Sequence, residues 1–340
     1  MKRMSKKRVS LKDIAEKVGV STALVSYVLN GQEKEKRVGA EVVIRIREVL
    51  KEMNYKPNHI ARSLRYGTTQ TIGLVVTDIA NPFFSSLARH IEDEANKSGY
   101  TVIIGSSDEK CDKSDKLVDT LLNRQVDGFI IVPAEGCSAC IKALLEDKVP
   151  LVMVDRYIPE LPSNYVVLDN HAASYNATMH LINKGYKHIG LVAYDSSLIH
   201  MRERIRGYEE AMKNSGIEKN IWIKYIRFDH ISIDIKKTIE AINIKDERKV
   251  DALFFATNTL SIAGLYKIND LGIKVPEDLA LIGFDGNEAF DFFYSPLTYV
   301  KQPVDEMGKE AVRILLDQIN GSKKISHVNL LSQLIIRESC

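Results

Sequence analysis

The sequence predicts a small all-helical module followed by an α/β core made of two doubly wound parallel-sheet lobes. Between residues 11 and 53, apolar residues recur at helical spacing, whereas from Thr71 onward short β-rich runs alternate with amphipathic stretches. The first of these runs recurs later in the chain at a constant offset of 117 residues. A chain of 340 residues with 45% hydrophobic content is too long for one ordinary core and can build two or three domains.

The first predicted helix begins after Ser10 and ends at Gly19. The run S-L-K-D resembles a capping box, in which the side chains of Ser10 and Asp13 satisfy backbone N–H groups at the start of a helix. Glycine readily adopts the left-handed backbone that commonly ends a helix. Apolar residues follow at helical spacing between these two ends, and they are Leu11, Ile14, Ala15 and Val18.

Two further helices complete the module. Ser21 can cap the second helix, and the pair Asn30-Gly31 ends it. The third helix is predicted over 41–53, after the charged loop QEKEKR, with Gly39 as an acceptable N-cap. Pro57 then ends this helix, so the module is expected to close there.

The rest of the chain alternates strands with helices. Near-continuous apolar strands joined by helical crossovers indicate parallel sheets that are covered on both faces. The strands are predicted at 72–77, 101–105, 128–133, 150–155, 188–195, 221–228, 252–258 and 280–286. The helices are predicted near 82–98, 112–124, 138–147, 171–184, 202–215, 232–242 and 259–271.

A weak internal repeat indicates that the core contains two similar lobes. The run TIGLVVTD ends at Asp78, and HIGLVAYD ends at Asp195. In open parallel sheets, ligands bind beyond the carboxyl ends of the strands. Those ends also carry Asp155, Asn258 and Asp285. The sequence therefore predicts a binding site in the cleft between the lobes.

Charge is divided unevenly along the chain. Residues 1–67 contain 16 Lys and Arg against 7 Asp and Glu, whereas the remainder contains 31 against 38. A basic module that precedes an acidic body is typical of proteins whose basic part binds a polyanion. A solvated charged surface would give the same composition, so the charge alone leaves both interpretations open.

The first two helices and the turn G-V-S between them form a helix-turn-helix pattern. A helix that enters the major groove needs an outer face of small or hydrogen-bonding side chains, without carboxylates. The second helix offers Thr22, Ala23, Ser26 and Tyr27 on that face, and Ser21 at its N-terminus can meet a phosphate. An ordinary capped helix pair is the alternative, and the basic charge favours DNA.

Several function classes lack their sequence signals. The chain has no G-x-G-x-x-G, G-x-x-x-x-G-K-[ST] or G-x-S-x-G motif, so we expect no enzyme active site and no cofactor. No run approaches the roughly 20 apolar residues of a membrane span, and the basic N-terminus lacks an apolar signal segment. Four cysteines suit a reducing compartment. We therefore predict a cytoplasmic protein with no membrane partner.

The motif Cys137-Ser-Ala-Cys140 follows one predicted strand and opens a helix. In that position a helix N-terminus can lower the pKa of a thiol, as in thioredoxin-like proteins. No second CxxC completes a zinc site, and the sequence alone offers no further ligand. No metal site is therefore predicted.

Five runs carry a family resemblance: VSLKDIAEKVGVSTALVSYVLNG, YKPNHIARSLRYGTTQTIGLVV, ALIGFD, SPLTYVKQP and LIIRES. In this order they resemble the lactose-repressor and galactose-repressor (LacI/GalR) family of bacterial transcription regulators, over about 9–339. The resemblance implies a DNA-binding domain (1–57), a hinge helix or linker (58–69) and a periplasmic-binding-protein-like core (70–340). The expected lobes are 70–168 with 300–326, and 169–299 with 327–340.

The resemblance implies that Thr22, Ala23 and Tyr27 read bases in the major groove. In the linker it implies that Ala61 and Leu64 enter the minor groove, where an apolar wedge can open a base step. A Leu64 packed against the core is the alternative. The expected DNA-binding set is Ser21, Thr22, Ala23, Ser26, Tyr27, Asn30, Asn58, Ala61, Leu64 and Arg65.

The resemblance also implies an effector site in the core. Carboxylates accept hydrogen bonds from sugar hydroxyls, arginine donates forked ones, and aromatic rings cover the apolar face of a sugar. A strand-end Asp can instead cap a helix, Arg204 can be a surface charge, and the Phe pair can belong to the core. The expected effector-binding set is Phe83, Phe84, Asp155, Arg156, Arg204, Asn258 and Asp285.

The sequence therefore predicts a repressor that binds a palindromic double-stranded operator as a homodimer. One head reads only a half-site, and a twofold protein mirrors a palindrome. A small molecule, expected to be a carbohydrate, would switch its operator affinity. The alternatives are an enzyme with an appended DNA-binding head and a periplasmic sugar-binding protein, which would need a signal peptide.

Overall fold

The computed structural model describes residues 9–55, 68–243 and 250–340. The chain divides into two compact units, Met1–Thr69 and Gln70–Cys340. Among the helices of the described residues, none is long and apolar enough to cross a membrane.

The first unit contains the three predicted helices. They are α1 (Leu11–Val18), α2 (Thr22–Leu29) and α3 (Ala40–Glu52). The capping box between Ser10 and Asp13 is present, and Gly19 ends α1 with a φ of 76°. One apolar core joins the three helices, and its buried members are Ile14, Ala15, Val18, Val25, Val28, Val43 and Ile46.

The second unit contains two six-stranded sheets. The first has the order β11-β5-β4-β3-β1-β2 and is parallel throughout. Its strands are β1 (Thr71–Val76), β2 (Thr101–Ser106), β3 (Gly128–Ile131), β4 (Leu151–Val154), β5 (Asn164–Leu168) and β11 (His327–Leu330). The second has the order β12-β10-β9-β8-β6-β7, and only β12 is antiparallel. Its strands are β6 (Ile189–Tyr194), β7 (Trp222–Ile226), β8 (Ala252–Phe255), β9 (Ala280–Phe284), β10 (Thr298–Lys301) and β12 (Gln333–Ile335).

Helices cover both faces of each sheet, as the continuous apolar strands predict. The helices of the second unit are α4 (Pro82–Lys97), α5 (Cys111–Asn123), α6 (Ser138–Glu146), α7 (Asn170–Asn183), α8 (Ile199–Asn214), α9 (Ile231–Asn243), α10 (Asn258–Asp270), α11 (Glu288–Phe292) and α12 (Val304–Ile319). In the first sheet, α4 and α12 cover one face, and α5 and α6 cover the other. In the second sheet, α7 and α8 cover one face, and α9 and α10 cover the other.

The glycine shared by the two copies of the repeat has a packing cause. A Cβ on Gly73 in β1 would lie 3.0 Å from the ring of Phe129, and one on Gly190 in β6 would lie 2.6 Å from the ring of Trp222. Each glycine therefore makes room for an aromatic ring on a neighbouring strand, which is β3 on one side of β1 and β7 on the opposite side of β6.

The chain crosses between the lobes at places other than those expected. His327–Leu330 pairs with β5 in the first sheet, although 327–340 was assigned to the second lobe. Thr298–Lys301 pairs with β9 in the second sheet, although the first lobe was expected to resume at residue 300. Both strands have four residues and alternate in burial, so neither has the long apolar run that revealed the other strands.

Candidate functional site

The outer face of α2 begins with exposed, uncharged side chains. Ser21 caps the helix by accepting a hydrogen bond from the backbone N–H of Leu24 at 3.3 Å. Thr22 and Ala23 are exposed in the first turn, which carries no acidic residue. This end of the helix therefore presents free N–H groups, a positive dipole end and small side chains, which suit a phosphate and base edges.

The second turn of α2 is less open. Asn30 donates from Nδ2 to the carbonyl oxygen of Ser26 at 2.8 Å and to its hydroxyl at 3.3 Å. Ser26 and Tyr27 are half-buried, whereas Asn30 is exposed. The other predicted DNA-binding residues, Asn58, Ala61, Leu64 and Arg65, lie outside the described residues.

Polar contacts fix the helices that support α2. The guanidinium of Arg45 in α3 donates to the carbonyl oxygen of Val18 at 2.8 Å, which satisfies a free acceptor at the end of α1. Lys17 forms an ion pair of 2.6 Å with Glu52. These contacts tie α1 to α3, and the shared apolar core holds α2 against both.

A cavity of about 350 Å³ lies between the two lobes of the second unit. Six of the seven predicted effector residues line it: Phe83, Phe84, Asp155, Arg156, Arg204 and Asp285. Asn258, the seventh, is not among the lining residues, but its backbone N–H donates a hydrogen bond to Asp285. A volume of this size is in the range of small-molecule sites.

Asp155 and Asp285 occupy equivalent places in the two lobes. Each follows a central strand, with φ values of 67° and 65°. The backbone N–H of Asp155 donates to Val166 on β5, and that of Asp285 donates to Val300 on β10. The left-handed backbone costs energy in a residue other than glycine and is often found at functional sites. The repeat therefore places one buried carboxylate from each lobe at the cavity.

Arg156 is held by carboxylates of its own lobe. Its two terminal nitrogens contact both oxygens of Glu109 at 3.0 Å, and Nε contacts Asp155 at 3.3 Å. Burial alone would lower the pKa of Arg156, but these carboxylates outweigh it and the pKa is raised. The forked pair with Glu109 is the strong, directional kind, so Arg156 has little freedom to turn toward a ligand.

Arg204 has a different set of partners. Nε donates to Asn170 at 2.8 Å and Nη1 donates to the carbonyl oxygen of Ala256 at 2.6 Å, and the guanidinium lies 3.6 Å from the ring centre of Phe284. Burial lowers the pKa of Arg204, and the nearby charges of Asp285 and Asp155 oppose that effect. Arg204 is therefore a buried side chain held by several contacts, and the alternative that it is a surface charge is wrong.

The buried carboxyl group of Asp285 has a raised pKa. Burial raises its pKa to about 6, which outweighs the attraction of Arg204 and a hydrogen bond of 2.7 Å from Nε2 of Gln302. Burial and both arginines lower the pKa of His200 well below its ordinary value, so His200 lines the cavity as a neutral ring.

The two phenylalanines belong to the core as well as to the cavity. Phe83 and Phe84 are 7% and 5% exposed, pack edge to face with ring centres 5.0 Å apart, and join the apolar cluster of the first lobe. Phe83 and Phe84 therefore belong to the apolar core, as one alternative expects, and also line the cavity, as the other expects.

The sequence reasoning missed several residues that the fold brings to the cavity. They are Glu109, Glu135, Tyr194, Ser196, His200, Phe228 and Gln302. Glu109, Phe228 and Gln302 follow strands β2, β7 and β10, so the rule about strand ends could have found them. Glu135 accepts a hydrogen bond of 3.1 Å from the backbone N–H of Ser197 and another from its hydroxyl, and this contact crosses between the lobes.

The cavity is acidic overall. Among the described residues, six carboxylates line it, those of Asp78, Glu109, Glu135, Asp155, Asp195 and Asp285, against the two guanidinium groups of Arg156 and Arg204. Because Arg156 already holds two of these carboxylates, Arg204 is the cation with capacity left. The arrangement can accept many hydrogen bonds from a neutral polar ligand, and it disfavours an anion.

Comparisons with known proteins agree with both units. Residues 10–58 match the model of bacterial regulatory proteins of the lacI family, and 178–340 match a periplasmic binding protein-like domain. The chain is 33% identical over 313 residues to the "HTH-type transcriptional repressor PurR" of Aliivibrio fischeri (strain MJ11), covering 91% of each chain.

Two solved structures extend the comparison. The structure of the transcriptional regulator CelR in complex with cellobiose has a TM-score of 0.71 and 26% identity, and covers 98% of this chain and all of that one. The lac repressor dimer bound to operator and the anti-inducer ONPF has a TM-score of 0.85 at 23% identity, covering 98% and 99%. That second likeness concerns the fold alone.

Proposed function

Because the chain belongs to the LacI family of bacterial regulatory proteins, we propose that it is a dimeric repressor whose operator affinity is set by a neutral carbohydrate. Transcription regulation through a helix-turn-helix domain and a ligand-binding core is the activity of the family. The ligand class, the palindromic operator and the residue roles are the proposal. The acidic cavity between two equivalent aspartates is the observation that carries it.

The chemistry of the cavity favours a sugar without a phosphate. Asp155 and Asp285 offer buried acceptors from opposite lobes, and Arg204 offers a fixed donor. Phe228 and Tyr194 lie together in the wall with ring centres 5.5 Å apart and can cover an apolar ring face. Within the described lining, a phosphate would meet six carboxylates, and Arg204 is the one arginine there that is not already paired with a carboxylate. The regulator CelR, a structure of 26% identity, is solved with cellobiose.

On the DNA side, Thr22 and Ala23 are proposed to read base edges from the first turn of α2. They are the exposed members of the predicted set at the helix start, where Ser21 and the free N–H groups can hold a phosphate. Tyr27 is proposed to reach the groove with its hydroxyl from the second turn. Two such heads in a dimer would read the two halves of a palindrome.

The switch is proposed to be a population shift. A ligand that contacts both Asp155 and Asp285 favours the arrangement in which the lobes lie close together. If that arrangement differs in operator affinity, linkage requires that ligand and operator change each other's binding by the same factor. The coupling is expected in the range of about 5- to 150-fold.

The decisive experiment measures operator binding by fluorescence anisotropy with the DNA upstream of the gene. Free sugars and disaccharides, including cellobiose and ribose, are compared with sugar phosphates and purine bases. One neutral sugar should change operator affinity several-fold, and the sign of the change shows whether it releases or strengthens the repressor. Asp285→Asn should remove the change while operator affinity without sugar stays the same. Response to a phosphorylated sugar or to a purine alone would refute the carbohydrate proposal.

The minor-groove role of Leu64 needs its own measurement. Leu64→Ala should weaken operator binding much more than binding to an unrelated duplex, because an apolar wedge matters only where the base step opens. Equal losses on both duplexes would remove Leu64 from that role.

A further inference from the structure

Three of the four cysteines meet in the first lobe, outside the lining of the effector cavity. The sulfur of Cys111, the first residue of α5, and that of Cys137, the N-cap of α6, lie near the carboxylate of Asp115. The three ligand atoms are all within 4.8 Å of one another, and the Cys111 sulfur is 3.9 Å from Oδ1 of Asp115.

Cys140 adds a third thiol to the same place. It is the third residue of α6, and the charge of Asp115 and a hydrogen bond with it add to burial in raising the pKa of Cys140 to about 12. Burial and the neighbouring Cys111 raise the pKa of Cys137 to about 12 as well. We call Cys111, Asp115, Cys137 and Cys140 the thiol cluster.

The fold explains why these residues come together. The helices α5 and α6 follow β2 and β3, and they share one apolar cluster on the same face of the first sheet. Their N-termini therefore lie at the same edge of that sheet, where parallel strands end. The CxxC motif has no visible partner in the sequence because its partners lie in the first turns of a separate helix, α5.

The donor set fits a thiophilic cation. Cysteine sulfur and aspartate oxygen are both zinc ligands, and four of them suit its tetrahedral geometry, in which a bond of about 2.3 Å to sulfur places neighbouring sulfurs roughly 3.8 Å apart. The ligand atoms of Cys111, Asp115 and Cys137 already lie within 4.8 Å of one another, and the sulfur of Cys140 must turn toward them to complete the set. The nearby lysines pair with other carboxylates, Lys113 with Asp108 at 2.6 Å and Lys116 with Asp112 at 3.6 Å.

We propose that Cys111, Asp115, Cys137 and Cys140 form a binding site for one divalent thiophilic cation, such as Zn²⁺. The cation replaces the thiol protons, which leave to solvent, and is held by three thiolates and one carboxylate. A reactive redox pair is the weaker interpretation, since buried neutral thiols are poor nucleophiles and are slow to oxidise.

The site also bears on the effector cavity. Glu109, which holds Arg156, lies two residues before Cys111, and Glu135, which contacts Ser197 of the other lobe, lies two residues before Cys137. A cation that fixes both cysteines would therefore fix the two loops that present these glutamates. This consequence rests on the proposed function, whereas the cation site itself does not.

The test uses the full chain, reduced and stripped of metal, titrated with Co²⁺. The wild type should bind one Co²⁺ per chain, with thiolate-to-cobalt charge-transfer bands and the visible bands of a tetrahedral site, and Zn²⁺ should remove them. Cys340→Ser is the matched control, because the fourth cysteine packs against the core of the second lobe and its loss should change nothing.

Variants of the cluster should bind more weakly. Cys111→Ser and Cys137→Ser should each lose at least about 10-fold in affinity, which is what even supporting residues of metal sites contribute. Asp115→Asn should weaken binding while the sulfur-to-cobalt bands remain. Circular dichroism checks that each variant is folded, and the wild-type titration decides the matter if one is not.

Three results would overturn the site: a reduced wild type without charge-transfer bands, Co²⁺ affinity and band intensity unchanged in Cys111→Ser and Cys137→Ser, or bands lost in Cys340→Ser. Rapid formation of a Cys111–Cys137 disulfide in a protein that binds no Co²⁺ would show a redox pair instead. Hydrogen exchange tests the link to the cavity without any effector. Zn²⁺ should slow exchange in 107–111 and 133–137 of the wild type only, and unchanged exchange on Zn²⁺ binding would refute the link.

Discussion

The two lobes present the cavity with equivalent aspartates but support them in different ways. In the first lobe, Asp155 and Glu109 enclose Arg156, and the three charged groups satisfy one another. In the second lobe, Asp285 and Arg204 are both buried, yet the arginine donates to an amide and a carbonyl oxygen instead. The first lobe therefore lines the cavity with a closed ion network, which we call the first wall. The second lobe lines it with a carboxylate and a guanidinium that are not paired with each other, which we call the second wall, and these charges remain available for a ligand.

Unsatisfied polar atoms point the same way. Among the described residues that line the cavity, Nδ1 of His200 and Oε1 of Gln302 are buried without a hydrogen-bond partner, and both residues line it from the second lobe beside Asp285 or Arg204. A buried polar group without a partner costs roughly 1–3 kcal/mol, which a ligand can recover. The difference teaches that recognition is concentrated on the second wall, while the first wall gives it a rigid counterpart.

Breaking the closed network should have the largest effect, and that effect should be on stability. Glu109→Gln leaves the buried guanidinium of Arg156 with only Asp155 as a charged partner. Removing one partner of a buried pair costs 3–5 kcal/mol in general, and the partial exposure of Glu109 places the loss at about 3 kcal/mol. Urea unfolding measures it, with Glu160→Gln on an exposed loop as the control. A loss below about 1 kcal/mol would mean that the network is not closed.

The second comparison replaces each arginine by lysine and measures sugar affinity by calorimetry. Arg204→Lys should lower affinity roughly 100-fold, because lysine loses the fork that binds Asn170 and Ala256 while reaching a ligand, and hydrogen bonds to charged groups contribute about 1.5–3 kcal/mol. Arg156→Lys should cost no more than about 10-fold. Arg202→Lys, exposed on the same helix, is the control. Equal losses in the two cavity variants would break the distinction between the walls.

The sequence predicts much of this arrangement, and the reasons for its failures are physical. The repeat at an offset of 117 and the acids after strands predicted two lobes and both aspartates, because strand patterns and strand ends are local features. Contacts between side chains that are far apart in the sequence are not local features. Glu109 meets Arg156 across 47 residues, and Cys111 meets Cys137 from a different loop, so only the folded topology reveals either pair.

The titration of Asp285 should appear as a pH dependence of sugar affinity. Its pKa of about 6 lies above the ordinary 3.8, so the folded protein binds more protons than the unfolded chain between these values. This group therefore favours folding at low pH, and its contribution falls as pH rises from about 4 to about 6. Sugar hydroxyls donate to the ionised carboxylate of Asp285, so sugar affinity should rise with pH over the same range in which the contribution of Asp285 to stability falls.

Calorimetry should show affinity falling about tenfold for each pH unit below about 6. The Asp285→Asn variant should bind the sugar weakly, and its sugar affinity should not change over that pH range. A dependence that survives in Asp285→Asn would assign the titration to another group of the cavity, first to Asp155 on the first wall, because burial raises its pKa as well.

The smallest effect is expected at the contact that joins the two walls. Glu135 accepts two hydrogen bonds from Ser197, one from the backbone and one from the hydroxyl, and both residues are exposed. Ser197→Ala removes only the second bond, and an exposed hydrogen bond contributes about 0.5–1.5 kcal/mol, so sugar affinity should fall about two- to tenfold. Ser196→Ala, its neighbour in the cavity wall, distinguishes loss of this contact from general change in the loop. If the Ser197 variant binds sugar as tightly as the wild type, the contact does not help to hold the lobes together, and the second wall acts alone.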